Sequence, residues 1–201
     1  MTQEIEIEFK NILTKNEFNN MLNAFSINNT HFKSQVNYYF DTNDFALKIK
    51  ASALRIRLKE NQYMLTLKQP AKIGLLETHQ PLTDEQAQRV LHNDFSIQGE
   101  VLQQLKKLHV PIHEIKYFGS LSTNRAEIIY EGGTLVFDHS HYLSKDDYEI
   151  EYEVGNYETG FATFQKLLSK FQIPVRKTEN KIQRFYNYKV KKEDKKNVEE
   201  S

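Results

Sequence analysis

The stretch EIEIEFK, residues 4–10, alternates charged and apolar side chains without interruption. Successive side chains of a β-strand point to opposite faces, so this period predicts a strand with a charged face and an apolar face. The same period recurs in LRIRLK at 54–59, MLTLK at 64–68 and YEIEYEV at 148–154. The protein is therefore expected to be built mainly from two-faced strands.

Other segments complete the expected secondary structure. Apolar runs predict strands at residues 35–40, 75–79, 117–129 in two pieces, and 134–138. Capping boxes, helical spacing and proline positions predict helices at residues 14–25, 83–91, 97–108, 158–171 and 178–188. Together these elements predict an α+β protein, either with a half-exposed sheet or with a closed eight-stranded antiparallel β-barrel and flanking helices.

The charged faces are segregated by sign, which favours the closed barrel. A half-exposed sheet mixes its polar residues on the water-facing side, whereas here residues 4–8 and 149–153 each present three glutamates and residues 55–57 present two arginines. Like charges on one strand face repel one another unless a cation lies among them, and oxygen ligands suit Mg²⁺ or Mn²⁺. Paired guanidinium groups suit an anion with several oxygens. For one such strand alone, a solvated sheet face is the simpler interpretation.

Composition limits the remaining possibilities. The 201 residues suit one domain, and the absence of cysteine excludes disulfides and thiolate chemistry and fits a reducing compartment. No apolar run is long enough to span a bilayer, the N-terminus lacks a signal peptide, and 27 basic residues balance 27 acidic ones. We therefore expect a cytoplasmic protein with no membrane or nucleic-acid partner, a domain at residues 1–188, and a disordered charged tail at 189–201.

Several motifs together resemble the CYTH, or triphosphate tunnel metalloenzyme, superfamily. Glu6-x-Glu8-x-Lys10 resembles its ExExK signature, and NYYFDT at 37–42 resembles its tyrosine-rich second strand. The later family elements are matched in order by Arg55 and Arg57, Lys68, Arg125, LVFD at 135–138, Glu149-x-Glu151-x-Glu153, and KIQR at 181–184. The resemblance spans about residues 4–188, and it is greatest to the YjbK-type proteins of Gram-positive bacteria.

The resemblance implies an eight-stranded tunnel that hydrolyses the terminal phosphate of inorganic triphosphate or of an organic triphosphate, with Mg²⁺ or Mn²⁺ as cofactor. A first metal would be held by Glu6, Glu8 and late glutamates, and a second, near Asp138, would activate the attacking water. The implied metal ligands are Glu6, Glu8, Asp138, Glu149, Glu151 and Glu153. The implied substrate-binding residues are Lys10, Arg55, Arg57, Lys68, Arg125, Lys181 and Arg184. Catalysis is assigned to Glu6, Glu8, Lys10, Asp138, Glu149 and Glu151.

The sequence also departs from the family pattern. GLLETH at 74–79 offers only Glu77 and His79 where the family often has a basic residue, and the usual glycine before residue 149 is missing. Which two of the three late glutamates bind metal is left open. An adenylate cyclase of the same fold and a non-catalytic polyphosphate-binding module remain alternatives, and the protein is expected to be a monomer or homodimer.

Some residues have simpler interpretations than a functional one. His139 and His141 could form a metal clip, but a surface turn is the simpler interpretation. The pair Gly132-Gly133 predicts a hairpin turn rather than a phosphate loop. The aromatic residues at 38, 39, 118, 185 and 186 are expected to pack on the outside of the barrel or under helices.

Overall fold

The computed structural model describes residues 3–199 of the chain, with side chains described through residue 190. The strands are β1 (Gln3–Leu13), β2 (Lys33–Asp41), β3 (Ala53–Lys59), β4 (Gln62–Pro70), β5 (Leu75–Leu82), β6 (Lys116–Tyr130), β7 (Gly133–Tyr142) and β8 (Lys145–Val154). The helices are α1 (Lys15–Ala24), α2 (Ala46–Ile49), α3 (Asp84–Leu91), α4 (Glu100–Lys107), α5 (Tyr157–Lys170) and α6 (Lys181–Glu199). No helix in this range is long and apolar enough to cross a membrane.

The strands close into one antiparallel barrel in the order β1-β5-β4-β3-β2-β6-β7-β8, as the segregated charges predicted. The register places Arg55 opposite Tyr39 and Thr66, and Glu8 opposite Glu153. Since paired residues share a face, the charged sides of the alternating strands all point into the barrel. The closure ladder between β1 and β5 is short, with four residue pairs described, whereas β7 and β8 form nine.

Tight hairpins connect the long strands and fix this register. The turn residues Glu60-Asn61, Glu131-Gly132 and Leu143-Ser144 all have positive φ, between 42° and 83°. Two consecutive residues of this kind form the hairpin turn whose twist matches that of the strands. The predicted hairpin near Gly132 is confirmed, and Gly133 already belongs to β7.

Apolar side chains on the outside of the barrel are covered by helices. Under α3 and α4, a core forms around Leu54, Ile56, Leu65 and Val101. Under α1 and α5, a second core includes Phe137, and both predicted capping boxes are present at Thr14 and Thr83. The outward sides of the alternating strands are therefore buried by helices rather than left in water.

Helix α6 closes one end of the barrel. Its Phe185 packs with the inward residues Tyr39, Leu121 and Tyr142. Tyr39 and Phe185 thus pack together where α6 covers the barrel, as predicted for residues under helices, but on the inner face of the sheet. Gly119 is required here, since a Cβ at that position would lie 2.4 Å from the Phe185 ring. The helix thus ends the lumen with an aromatic side chain.

Three further elements differ from expectation. The segment 117–129 forms one strand, because a bulge opposite Tyr39–Phe40 absorbs the irregularity that suggested two pieces. Helix α4 begins only at Glu100, because Gly99 before it has φ 123°. The backbone of α6 is helical as far as Glu199, although a disordered tail was expected from residue 189. Residues 200–201 lie outside the described range, and the domain boundary at 188 stays a prediction.

Candidate active site

The barrel encloses a charged lumen with a cavity volume of about 520 Å³. Strands β1, β2, β3, β4, β5, β6 and β8 contribute side chains to it. At the closed end, Asn180 and the first two residues of α6, Lys181 and Ile182, complete the lining. All of the basic residues implied by the resemblance except Arg184 line this cavity. The lumen-facing members of that set are Lys10, Arg55, Arg57, Lys68, Arg125 and Lys181.

One side of the lumen, formed by β1 and β8 with Asp138 of β7, is called the acidic wall. Its carboxylates are Glu6, Glu8, Asp138, Glu149, Glu151 and Glu153. Oxygen atoms of Asp138, Glu149 and Glu151 come within 4.8 Å of one another, and all three side chains are buried. The structure thus groups Glu149 and Glu151, and not Glu153, with Asp138.

Lys181 of α6 lies among the three grouped carboxylates. Its Nζ is 2.8 Å from Asp138 Oδ2 and 2.6 Å from Glu151 Oε1, and it also contacts Glu149. Burial favours the neutral amine, but the carboxylates outweigh it, Asp138 most strongly, and hold the pKa of Lys181 well above its usual range. The ammonium is therefore charged and occupies the place where a second metal was inferred.

Two arginines also neutralise this part of the acidic wall. Arg125 donates from Nε to Asp138 Oδ1 at 2.8 Å and from Nη2 to Glu151 Oε2 at 2.7 Å. Arg184 donates from Nη1 to Glu149 Oε2 at 2.6 Å and from Nε to Asp147 Oδ2 at 2.9 Å. Arg125, Lys181 and Arg184, implied by the resemblance to bind phosphate, are thus ion-paired with carboxylates.

The rest of the acidic wall is only partly neutralised. Lys10 contacts Glu8, and Lys68 lies 2.5 Å from Glu6 Oε2. Burial raises the pKa of Glu153 to about 7, and the negative charge of Glu151 adds to the rise although Arg125 opposes it. The Glu153 carboxyl is therefore only partly ionised at neutral pH, and a cation bound beside it would favour its ionised form.

The opposite side of the lumen, formed by Arg55 and Arg57 on β3, is called the arginine wall. Neither arginine is ion-paired with a carboxylate in the part of the chain that the structure describes, and the buried Nε of Arg55 has no hydrogen-bond partner there. Arg57 donates from Nε to Asn37 Oδ1 at 3.1 Å. Burial, and then the charges of Arg55 and Arg125, lower the pKa of Arg57 to about 9. Two such cations form a site for an anion.

The donors on the acidic wall fit a divalent metal. All are carboxylates, the hard oxygen ligands that Mg²⁺ and Mn²⁺ prefer. Most are already paired with a positive charge supplied by the protein, which a bound metal would have to displace or share. A metal in the Asp138 cluster would compete with Lys181 for the same oxygens. Glu6 and Glu8 lie one strand away, so the predicted ligands divide into two groups along the wall.

Sequence reasoning missed several side chains that complete the lumen. Asp147 holds Arg184, Asn37 holds Arg57, and Tyr39 faces inward. Glu77 pairs with Lys68, and His79 with Glu4. The register would have placed the inward residues had the strand pairing been known, since each shares a face with a predicted site residue. His139 and His141 both approach Asp146, at 2.7 and 3.4 Å, within the β7–β8 hairpin.

A closed antiparallel barrel with one acidic and one arginine wall defines a class of protein that binds a polyanion and cations in a tunnel. The profile of the CYTH domain family matches residues 4–186, and the chain belongs to this family.

Relatives agree with this assignment. The chain is 53% identical over 192 residues to the Bacillus subtilis protein "Putative triphosphatase YjbK", covering 95% of this chain and 99% of that protein.

Solved structures show the same fold. A Bacillus halodurans protein described as a "putative adenylate cyclase" is 48% identical, with a TM-score of 0.90, over 92% of this chain and all of that one. HpAC1 from Hippeastrum is 24% identical, with a TM-score of 0.74, over 93% of this chain and 96% of that one. At that identity the second likeness shows the fold alone.

Proposed function

We propose that this protein is a divalent-metal-dependent triphosphatase that removes the terminal phosphate of inorganic triphosphate or of a compound bearing a triphosphate. The observation that carries the proposal is the pair of arginines on the arginine wall, which face the lumen without a carboxylate partner among the described residues. The name of the relative at 53% identity, "Putative triphosphatase YjbK", agrees with it.

The arginine wall binds the phosphate chain. The planar forks of Arg55 and Arg57 each donate two parallel hydrogen bonds to phosphate oxygens, which makes them suited to a triphosphate laid along β3. An added anion also raises the pKa of Arg57 back towards its usual range, because it offsets the repulsion from Arg55. Lys68, at the far end of the neighbouring strand β4, exchanges its contact with Glu6 for a phosphate oxygen.

The acidic wall holds the metal. Glu6 and Glu8 with the late glutamates would bind one ion, and Asp138, Glu149 and Glu151 a second. Bound Mg²⁺ or Mn²⁺ supplies charge neutralisation on the phosphoryl oxygens and a more acidic water. Lys10, Arg125 and Lys181 neutralise carboxylates that the metal leaves unpaired, and they bind the phosphates as the substrate fills the tunnel. Arg184 does not line the cavity and instead holds Glu149 and Asp147 in place. The carboxylates orient these cations before the substrate arrives, so little reorganisation accompanies the reaction.

The names of the relatives, "Putative triphosphatase YjbK" and "putative adenylate cyclase", point to two reactions, which must be separated by experiment. A cyclase must hold the ribose 3′-hydroxyl in line with the α-phosphorus, which requires a shaped pocket for base and sugar. A hydrolase needs only water near the terminal phosphorus. We expect inorganic triphosphate to be cleaved at least as efficiently as ATP.

Product analysis tests the proposal. The purified protein is incubated with inorganic triphosphate or ATP in the presence of Mg²⁺ or Mn²⁺, and the products are resolved by ion-exchange chromatography. The expected products of inorganic triphosphate are pyrophosphate and phosphate. Cyclic AMP from ATP together with inert inorganic triphosphate would identify a cyclase, and tight binding without turnover of either would identify a binding module.

A cytoplasmic location and a monomeric or homodimeric state stay predictions.

A further inference from the structure

A third group of metal-ligating side chains lies in the lumen beyond the Glu6 end of the acidic wall. Glu4 of β1 and Glu77 and His79 of β5 bring one oxygen or nitrogen atom each within 4.8 Å of one another. Six residues separate Glu4 from Lys10 on β1, so this group lies about 20 Å along the strand from the level of Glu151. None of its members is among the residues assigned to metal or phosphate above.

The distances from His79 to the two carboxylates fit a shared cation as well as direct hydrogen bonds. Its Nε2 is 3.1 Å from Glu4 Oε1 and 3.4 Å from Glu77 Oε2. Two ligands of a tetrahedral cation with bonds of about 2.1 Å are separated by about 3.4 Å. Since the ligand atoms of all three side chains lie within 4.8 Å of one another, the side chains are close enough to share one cation.

A residue outside the group fixes the orientation of the imidazole. Nδ1 of His79 lies 3.0 Å from the hydroxyl of Thr66, which is 2% exposed. With Nδ1 protonated and donating to that hydroxyl, the lone pair of Nε2 points at the two carboxylates. Histidine ligands of metals are commonly held by such a hydrogen bond from their other ring nitrogen.

The strand pairing gives an independent reason for a cation here. Glu4 and Glu77 are direct cross-strand partners in the β1–β5 ladder. Like charges in directly opposite positions destabilise a sheet, and this pair lies in a ladder of four described residue pairs. A divalent cation between them would turn the repulsion into a bridge between the two strands that close the barrel.

Glu77 also connects this group to the phosphate site. Its Oε2 faces His79, while its Oε1 contacts Lys68, and the side chain is 4% exposed. Glu4 is 68% exposed and leaves the site open to solvent.

We propose that Glu4, Glu77 and His79 form a further cation site that selects a transition-type divalent ion such as Zn²⁺, Co²⁺ or Mn²⁺ over Mg²⁺ and bridges β1 to β5. The imidazole ligand sets the preference, since Mg²⁺ favours oxygen ligands and keeps its waters. Three protein ligands leave a fourth position for water. Binding of a cation at this site can be measured without substrate or turnover, so either proposal can fail without the other.

Calorimetric titration of the full chain with Zn²⁺, without phosphate and with excess Mg²⁺ to fill the acidic wall, tests the site. We expect one Zn²⁺ equivalent whose affinity falls at least tenfold in His79→Ala and in Glu4→Gln. His141→Ala, which removes a histidine that is 58% exposed on the hairpin, is the matched control and should leave the equivalent unchanged. Glu8→Gln should also retain it.

Two results would overturn the proposal. One is a wild-type isotherm with no Zn²⁺ equivalent that resists Mg²⁺, and the other is an equivalent that His79→Ala and Glu4→Gln leave intact. Glu4→Gln keeps the test decisive if the alanine variant does not fold, because Glu4 is mostly exposed. Circular dichroism of each variant verifies that the barrel has formed.

Discussion

The two walls of the lumen differ in how their charges are balanced. On the acidic wall, carboxylates are paired with lysine or arginine side chains, and Lys181 alone contacts three of them. On the arginine wall, Arg55 and Arg57 have no such partner in the described part of the chain. The protein itself supplies cations to the acidic wall, while the arginine wall depends on an anion from outside. Substrate binding is therefore expected to depend most on the arginines and turnover most on the carboxylates.

The largest expected effect comes from removing a carboxylate of β1. Glu6→Gln and Glu8→Gln should each lower kcat by about 10²-fold or more, because each is a proposed metal ligand and a main source of electrostatic stabilisation. Steady-state phosphate release with Mg²⁺ and with Mn²⁺ measures this. Full turnover in excess chelator would sink the assignment of a metal to the acidic wall.

Removing an arginine should affect binding instead. Arg57→Ala should lower kcat/KM for triphosphate by about 10- to 100-fold, since a hydrogen bond to a charged group contributes about 1.5–3 kcal/mol. The rise in KM should exceed the fall in kcat. Arg89→Ala on the exposed face of α3 is the control, because its partner is Asp94 on the protein surface. Equal losses of kcat/KM in Arg57→Ala and in Arg89→Ala would contradict a specific role of the arginine wall in binding.

Lys181 of α6 supplies an ammonium group to the acidic wall. Lys181→Ala should weaken triphosphate binding, and it should lower the melting temperature in chelator, since three buried carboxylates lose their ammonium. Mg²⁺ should restore much of the melting temperature by taking the place of the ammonium. A melting temperature that Mg²⁺ leaves unchanged would contradict competition between the lysine and a metal.

Glu153 predicts a pH dependence on the acidic wall. A carboxyl whose pKa rises from 4.5 to about 7 on folding stays protonated in the folded state after it has ionised in the unfolded state. Stability is therefore lost as pH rises between these values, and the loss is complete above 7. Glu153→Gln should raise the melting temperature at pH 8 by a few degrees and change it little at pH 5. Thermal melts in chelator at both pH values compare the two proteins.

The smallest effect is expected at the C-terminus. Deletion of residues 194–201 should change neither the melting temperature nor turnover, because the predicted site residues all precede residue 185. Loss of turnover in this deletion, together with unchanged turnover in Lys181→Ala, would show that the C-terminal end of α6 belongs to the site and that its N-terminal end does not.

Much of the fold followed from the period of the strands. Alternation alone identified the charged faces of β1, β3 and β8, and the segregation of their charges indicated that these faces meet in a lumen. The capping boxes identified α1 and α3, because a cap is encoded by residues three positions apart. These signals are local, so one sequence is enough to reveal them.

The parts that sequence reasoning missed depend on contacts between distant residues. The pairing of Glu4 with Glu77 follows only from the order in which β5 and β1 close the barrel. The inward position of Phe185 depends on Gly119, 66 residues earlier in the chain, because a glycine has no side chain to collide with the Phe185 ring. Lys181 and Arg184 were predicted to bind phosphate. Their separation by three residues on a helix places them on one side of it, but it does not indicate that both are ion-paired with carboxylates of β7 and β8.

The short closing ladder of the barrel has a consequence for its dynamics. The ladder between β1 and β5 has four described pairs, against six to nine at the other seams. The amide protons of this ladder should therefore exchange earliest with solvent. The exchange would come from local opening, since β1 stays attached to β8 through seven pairs. Local separation of β1 from β5 would open the side of the tunnel while α6 still closes its end. A ligand too bulky to be threaded through the mouth could then enter from the side.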